Sequence, residues 1–375
     1  MASSRTGRRR KAMAVEPRVL KFGGSSFAGE DQFRRVSRYL QRCVAQGDKL
    51  VVVVSALPGA TEELRQHGLR LNPAPSGATI DSLIPLADTI GAALVRAALE
   101  AEQLRVTTLY GAQLGMLTDA NYSRVRILAI DPAPLGAALD DHDIVVVPGG
   151  QGRNARGEQT WLGKNSSDLT AVALAGALGL RRAEIYSDVC GVYSSDPRVV
   201  SGTTLIEGMS YDAAIAMSLR GAKVIHHGSV RHAQQHGVEI VCRLNRDDFR
   251  IGTRIGTGGS PAAVVLDERS ILVAFEAAAE LGRAAAALAA LEVPFVIPPP
   301  ERHHLLAITC GFFDVPRFLR EHQLGGVALE RHLVSEFLHD GRIHHHVPGH
   351  GEAHALAQQL HDQINHARTS RSATA

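Results

Sequence analysis

Runs of apolar residues alternate with amphipathic stretches along most of the chain. Val19-Leu20 leads into Lys21-Phe22-Gly23-Gly24-Ser25-Ser26, and Asp31-Gln32-Phe33-Arg34-Arg35-Val36 then spaces its apolar positions as a helix does. That order predicts strand, tight glycine turn and a helix to about Ala45. Lys49 to Ser55 (KLVVVVS) and Asp143 to Pro148 (DIVVVP) are too apolar throughout for exposed edges and read as strands buried on both faces. The first is followed by Ala56-Leu57-Pro58-Gly59-Ala60-Thr61, a polar turn. Leu83 to Glu100 has helical periodicity and Arg105 to Leu109 reads as a strand. After Gly149-Gly150-Gln151-Gly152, a hairpin-like excursion carries Asn154 and Arg156-Gly157-Glu158. A helix is predicted from Leu169 to Leu178, with Ser166, Ser167 and Asp168 as candidate caps. Ala183 to Ser187 and Val238 to Arg243 read as strands, with helix between Tyr211 and Gln235. This alternation predicts an α/β domain with a largely parallel sheet, helices on both faces and a site at the strand ends.

At Gly256-Thr257-Gly258-Gly259-Ser260-Pro261 the composition shifts to that of a linker. Beyond it, Ser270 to Glu276, a helix from Leu281 to Leu291 and Val293 to Ile297 predict one βαβ-like unit. His304 to Thr309, Val315 to Glu321, and Gly341 to Val347 followed by Glu352 to Ile364 predict a second. The expected layout is a basic tail over 1–16, an α/β domain over 17–256 and a small α+β domain over 262–368.

With 375 residues the chain can bury a large core, and a net charge of +2 indicates neither disorder nor a general electrostatic partner. Aromatic residues are few and no basic stripe is interleaved with them, so nucleic acid is not an expected partner. The exception is Arg5 through Lys11, read as a solvated tail. No apolar segment of a secretory signal follows it, and no run reads as long enough to span a bilayer. Cys43, Cys190, Cys242 and Cys310 lie far apart without metal-like spacing and read as reduced thiols, which places the protein in the cytoplasm. His344, His345, His346, His350 and His354 could bind a transition metal, His350 and His354 sharing a face if that segment is helical. No acidic or cysteine ligand completes a site there, so they read as exposed polar residues.

The chemistry gathers at the predicted strand ends: Lys21 with Gly23 and Gly24, Ser55, Lys164 with Ser167 and Asp168, and Ser187 with Asp188. Glycines let backbone amides approach a polyanion, and a helix start adds N–H groups and partial positive charge. Phosphoryl transfer asks a protein mainly for positioning and charge neutralisation. Lysines and amides hold phosphate oxygens, while carboxylates such as Asp168 and Asp188 orient lysines or meet Mg²⁺ through water. Taken alone, the first segment also fits an ordinary βα turn; taken together, the segments point to a phosphate-handling α/β enzyme.

These segments resemble the amino acid kinase family and, within it, the aspartokinases. Lys21-Phe22-Gly23-Gly24-Ser25-Ser26 resembles the opening motif, and Val53-Val54-Ser55-Ala56 with Thr61 the second. Ser187-Asp188-Val189-Cys190-Gly191-Val192-Tyr193-Ser194-Ser195-Asp196-Pro197-Arg198 resembles the nucleotide-binding segment, followed by Gly221-Ala222-Lys223-Val224-Ile225-His226. The likeness covers about residues 18 to 256. It implies a three-layer sandwich around a largely parallel sheet, ATP with its Mg²⁺ as phosphoryl donor, and a side-chain carboxylate, aspartate first, converted to an acyl phosphate. Lys21 with Gly23, Gly24 and Ser25 would hold the phosphates and Asp168 would organise the lysines. Ser187, Asp188, Tyr193, Arg198 and Lys223 would bind ATP. Ser55, Thr61, Asp88, Gly150, Lys164, Ser167 and Asp168 would face the acceptor. That carboxylate, with a reference pKa of roughly 4, needs no general base.

Departures from the aspartokinase pattern sit on the acceptor side. Lys164 stands for an arginine, Asp88 for a glutamate, Gly150 for an aromatic residue, Asn165-Ser166 for a glycine pair and Glu62 for an asparagine. Two alternatives therefore accompany an aspartate kinase: a relative recruited to a different carboxylate, and a non-catalytic regulatory partner. The second domain sits where aspartokinases carry paired ACT domains. It is shorter than such a pair and lacks the Asp-Lys-Pro-Gly effector turn, Gly349-His350-Gly351 being at most a remnant. The resemblance thus implies a divergent ACT-like domain and a homodimer, without lysine or threonine feedback.

Overall fold

The computed structural model describes residues 16–372 except 124, 223, 224, 292, 300–302 and 310–312. The basic tail, Lys223 and Cys310 lie outside the described residues. Two compact units divide the chain, one formed by residues up to Gly163 with Ala177–Leu180, the other by Lys164–Gly176 with the chain from Arg181 on.

The first unit runs through Arg18–Phe22 (β1), Glu30–Ala45 (α1), Leu50–Val54 (β2), Ala60–Leu71 (α2), Gly77–Leu83 (α3), Leu86–Ala101 (α4) and Val106–Thr108 (β3). It continues with Met116–Thr118 (β4), Ile127–Ile130 (β5), Ala133–Asp141 (α5), Ile144–Pro148 (β6), Gln151–Arg153 (β7) and Gln159–Trp161 (β8). Strands β1, β2, β6 and β3 pair in parallel in that order. Every residue of β2 and β6 is buried, as their unbroken apolar runs require of strands covered on both faces. Helix α1 turns Val36, Leu40 and Cys43 inward at helical spacing. The predicted polar turn after Ser55 is shorter than expected, because Gly59 takes a left-handed φ of 82° and α2 starts at once. α2 buries no residue, so apolar periodicity could not reveal it.

By length and composition the helical stretch Gly77–Ala101 could cross a membrane, which corrects the expectation that no run is long enough. Inside this unit it carries two buried aspartates. Asp81 accepts the backbone N–H groups of Ser123 (2.9 Å) and Trp161 (3.0 Å), and Asp88 accepts that of Ala56 (2.9 Å). Such bonds satisfy buried carboxylates and tie both helices to the rest of this unit.

The second unit contains Ser167–Ala177 (α6), Arg182–Ser187 (β9), Gly208–Ser210 (β10), Tyr211–Ser218 (α7), His227–His236 (α8), Glu239–Leu244 (β11) and Ile251–Gly256 (β12). β9 pairs in parallel with β11 and β10 with β12, while β11 and β12 are antiparallel. The expected α/β class with a largely parallel central sheet is thus the one observed.

Beyond it lie Ala263–Asp267 (β13), Ile271–Phe275 (β14), Ala278–Ala290 (α9), Phe295–Val296 (β15), His304–Ile308 (β16), Val315–Glu321 (α10), Val327–Leu329 (β17), Leu333–Phe337 (β18), Ile343–His346 (β19) and Ala353–Ser372 (α11). The two successive βαβ-like units expected here are replaced by one module inserted in another. β14–α9–β15–β16–α10–β17 forms a split βαβ with strand order β15-β16-β14-β17. β13 pairs instead with β18, some 70 residues on, and β18 with β19, while α11 covers that three-stranded sheet. The short β13, β17 and β18 escape the sequence reading, and β18 is what returns the chain to β13.

The histidines are distributed differently from the expectation. His350 precedes α11, so it shares no helix face with His354. Acidic partners do meet them: Glu336 lies 3.5 Å from His344 and 3.4 Å from His346, and Glu268 3.2 Å from His354. Among the described residues no group of three or more His, Cys, Asp or Glu side chains is arranged to hold a metal.

Candidate active site

In the first unit the site is built by parallel register. Lys21 lies opposite Val53, and the ladder runs on past the strands through Ser55 N–H to Phe22 O (3.1 Å) and Gly149 N–H to Val54 O (2.9 Å). Gly23-Gly24, Ser55-Ala56 and Gly149-Gly150 therefore leave the sheet side by side at its carboxyl edge, where α/β sheets bind ligands. Gly24 has no substitute here: a Cβ would stand 2.5 Å from Ala56 O. Gly150, with φ of 70°, accepts Leu162 N–H at 2.9 Å as the β7–β8 hairpin returns. Lys21 is buried and Ser25 exposed, so the turn places an enclosed lysine beside an exposed serine.

Asp88 enters the same group from the first turn of α4. Burial pushes its carboxyl up to about 7, against the lowering pull of the Ala56 N–H and the Lys21 charge. One turn on, Gly91 lets the helix approach until a Cβ would lie 2.9 Å from Ser55 O. Gln151 locks the helix start, its Nε2 donating to Pro85 O (2.9 Å) and Thr89 Oγ1 (2.7 Å). The sequence reading missed Gly91 and Gln151; a glycine three residues past an aspartate in an apolar helix was the available signal. Thr61 is half-buried in the first turn of α2, and its neighbour Glu62 is exposed and paired with Arg65.

In the second unit Ser167 and Asp168 open α6, and both are buried. Thr170 through Ala175 are buried too, which fixes the helix start in place. Asp168 sits close enough to His226 and Cys242 for its charge to raise both their pKa values, although burial is the larger influence, lowering the first and lifting the second to about 12. Lys164 is exposed, between Gly163 (φ 95°) and Asn165 (φ 62°). Ser187 closes β9, its Oγ donating to Val189 O at 2.7 Å, and Asp188 is exposed. Gly191 and Gly252 allow this segment against β12, where a Cβ would meet Thr253 Oγ1 at 2.3 Å and Cys190 O at 2.0 Å respectively. Tyr193 pairs with Leu205 across a β-bridge. Arg198 forks onto Asp196 through Nε (3.0 Å) and an η nitrogen (2.7 Å), and the carboxylate raises its pKa. Cys43, Cys190 and Cys242 are buried free thiols.

Parallel strands buried on both faces and alternating with helices define a protein of the α/β class with a largely parallel central sheet. The chain belongs to the amino acid kinase family, whose model matches residues 16–243. It is 36% identical to an aspartokinase of Helicobacter pylori over 225 residues, 60% of this chain and 56% of that protein. An aspartokinase of Mycobacterium tuberculosis is 35% identical over 236 residues, 63% and 56% of the respective chains. The matched part thus spans little more than half the length of these relatives. In fold the chain is similar to aspartokinase III of E. coli, solved in complex with aspartate and ADP in its R-state, with a TM-score of 0.74 at 20% identity over 92% of this chain and 99% of that one.

Proposed function

We propose that the protein is an ATP-dependent kinase that phosphorylates the side-chain carboxylate of aspartate. The observation that carries this reading is the enclosed lysine and carboxyl at one strand edge, Lys21 beside the Gly23-Gly24 turn and Asp88 behind it. The curated relatives named aspartokinase support it. A carboxylate oxygen of the acceptor attacks the γ-phosphorus, the bond to the bridging oxygen breaks, and ADP leaves with that electron pair. Mg²⁺ enters with the nucleotide as part of the substrate.

The roles follow from charge and position. Lys21 and the amides of Gly23 and Gly24, with Ser25, hold phosphate oxygens and neutralise the charge that develops as the group moves. Asp168 at the start of α6 organises the cations around that group. Ser187, Asp188, Tyr193, Arg198 and Lys223 bind the nucleotide. On the acceptor side the proposed residues are Ser55, Thr61, Gly150 and Asp88 of the first unit, Asp88 for the amino group, and Ser167 and Lys164 of the second, Lys164 for the α-carboxylate. The protein acts in the cytoplasm as a homodimer paired through residues 262–368, a form in which the exposed edge strand β17 finds cover. Light scattering of the full chain should give twice the monomer mass, and a monomer would contradict this.

The test of the activity is acyl phosphate trapped as hydroxamate. Lys21→Ala and Asp168→Ala should each abolish the signal while circular dichroism stays that of the parent. Undiminished hydroxamate in both variants would remove these residues from the active site.

A further inference from the structure

Helix α11 grips the segment carrying Tyr193, Asp196 and Arg198 with three polar side chains on one face, at Gln358, His361 and Asn365. Gln358 Oε1 accepts both the backbone N–H (2.9 Å) and the hydroxyl (3.0 Å) of Ser201. Asn365 Nδ2 donates to Gly202 O at 3.3 Å. Between them His361 Nε2 lies 2.9 Å from Ser194 Oγ, and both residues are wholly buried. The Asn365 amide nitrogen faces His361 Nδ1 at 3.4 Å, so both ring nitrogens of the buried imidazole have a polar neighbour.

Ser194 is where four pieces of chain meet. Its N–H donates to Thr204 O (2.9 Å), its carbonyl accepts Val264 N–H (2.8 Å) at the edge of β13, and its Oγ accepts Thr204 N–H (2.9 Å). One residue before it stands Tyr193; two residues after it Asp196 closes a turn by accepting the N–H groups of Val199 and Val200 and holds the Arg198 fork. Val199 and Val200 pack on Ala357, Leu360 and Ile364 of the same helix. Apolar packing alone would hold α11 against the segment. A fully buried imidazole–hydroxyl pair adds a directional constraint, since any slip of the segment leaves both groups desolvated without partners.

We infer that His361 is a positioning residue for the nucleotide: by holding Ser194 Oγ it sets where Tyr193 and Arg198 stand. This rests on the reading of residues 187–198 as nucleotide-binding. A merely packed histidine would affect stability alone, whereas a positioning one shifts nucleotide binding and leaves the acceptor untouched.

The experiment uses the full chain with His361→Phe, which keeps the bulk, and His361→Gln, whose amide nitrogen reaches as far as Nε2. ADP affinity is read by calorimetric titration, and KM for ATP and for acceptor by the hydroxamate assay. His361→Phe should weaken ADP and raise the ATP KM about tenfold, the worth of one buried hydrogen bond, with the acceptor KM moving less than about twofold. His361→Gln should recover most of that loss. Parental ADP affinity in His361→Phe, or both KM values rising together, would overturn the inference. If His361→Phe does not fold, Gln358→Ala at the rim of the same clamp should still weaken ADP about threefold, and unchanged affinity there would overturn it equally. Arg198→Ala separates the two claims. If the parent binds no ADP, or Arg198→Ala binds it as tightly as the parent, the nucleotide reading fails. If Arg198→Ala weakens ADP and the α11 variants do not, only the role of His361 fails.

Discussion

Asp88 Oδ1 accepts the backbone N–H of Ala56 at 2.9 Å, fastening the start of α4 to the chain as it leaves β2. The bond is made by a carboxylate enclosed beside Lys21, and enclosure is the larger influence on its proton affinity.

Asp88 therefore titrates late. Its pKa rises from 3.8 to about 7, so as pH increases the unfolded chain loses this proton first. Between those two values the folded state binds more protons, and the contribution of Asp88 to stability falls as pH rises. Asp88→Asn keeps an acceptor for Ala56 and removes the titration. The variant should be more stable than the parent at pH 8, by on the order of 1–3 kcal/mol, and lose that advantage at pH 4. Melting curves with the same separation at both pH values would show that Asp88 is ionised throughout.

The glycine turn yields a prediction with an internal control. Gly24→Ala places a Cβ 2.5 Å from Ala56 O, a backbone atom that moves only if the β2 end moves. It should cost about 1–3 kcal/mol in urea unfolding and raise the ATP KM together with it. Gly136→Ala, in α5 with nothing within 4 Å of the new Cβ, should instead gain about 0.5–1 kcal/mol and leave both KM values alone. Equal effects from the two substitutions would mean that the first turn is not under steric constraint.

The parts of this protein that could be read from its sequence are those in which one segment decides its own fate. β2 and β6 are apolar at every position because they are covered on both faces, and Gly23-Gly24 announces a turn wherever it occurs. What stayed hidden is decided by partners far along the chain. β13 and β18 are ordinary five-residue strands, and only their pairing reveals that one module is inserted in another. His361 looks like a surface residue of a polar helix until Ser194, 167 positions earlier, is found beside it. Gly91 matters because the carbonyl of Ser55 lies against it, and Glu336 joins His344 and His346 only through the β18–β19 register.

The acceptor side allows the sharpest test. Asp88, Lys164 and Asp168 keep the signs of charge that a zwitterionic amino acid with a side-chain carboxylate requires, so aspartate should give the highest specificity constant in a panel of carboxylic acids. Lys164 is exposed; in its proposed role it would meet the α-carboxylate with one point charge, where an arginine in the same place would offer a planar two-point fork. A charged hydrogen bond contributes on the order of 1.5–3 kcal/mol, or roughly ten- to a hundredfold in affinity. Lys164→Arg should accordingly lower the aspartate KM about tenfold or more, with the ATP KM unmoved. If aspartate is silent while another carboxylic acid turns over, the acceptor assignment is wrong although the phosphoryl-transfer chemistry stands. If aspartate turns over and the arginine changes nothing, Lys164 does not touch the α-carboxylate, and the grip on that group must come from elsewhere in the pocket.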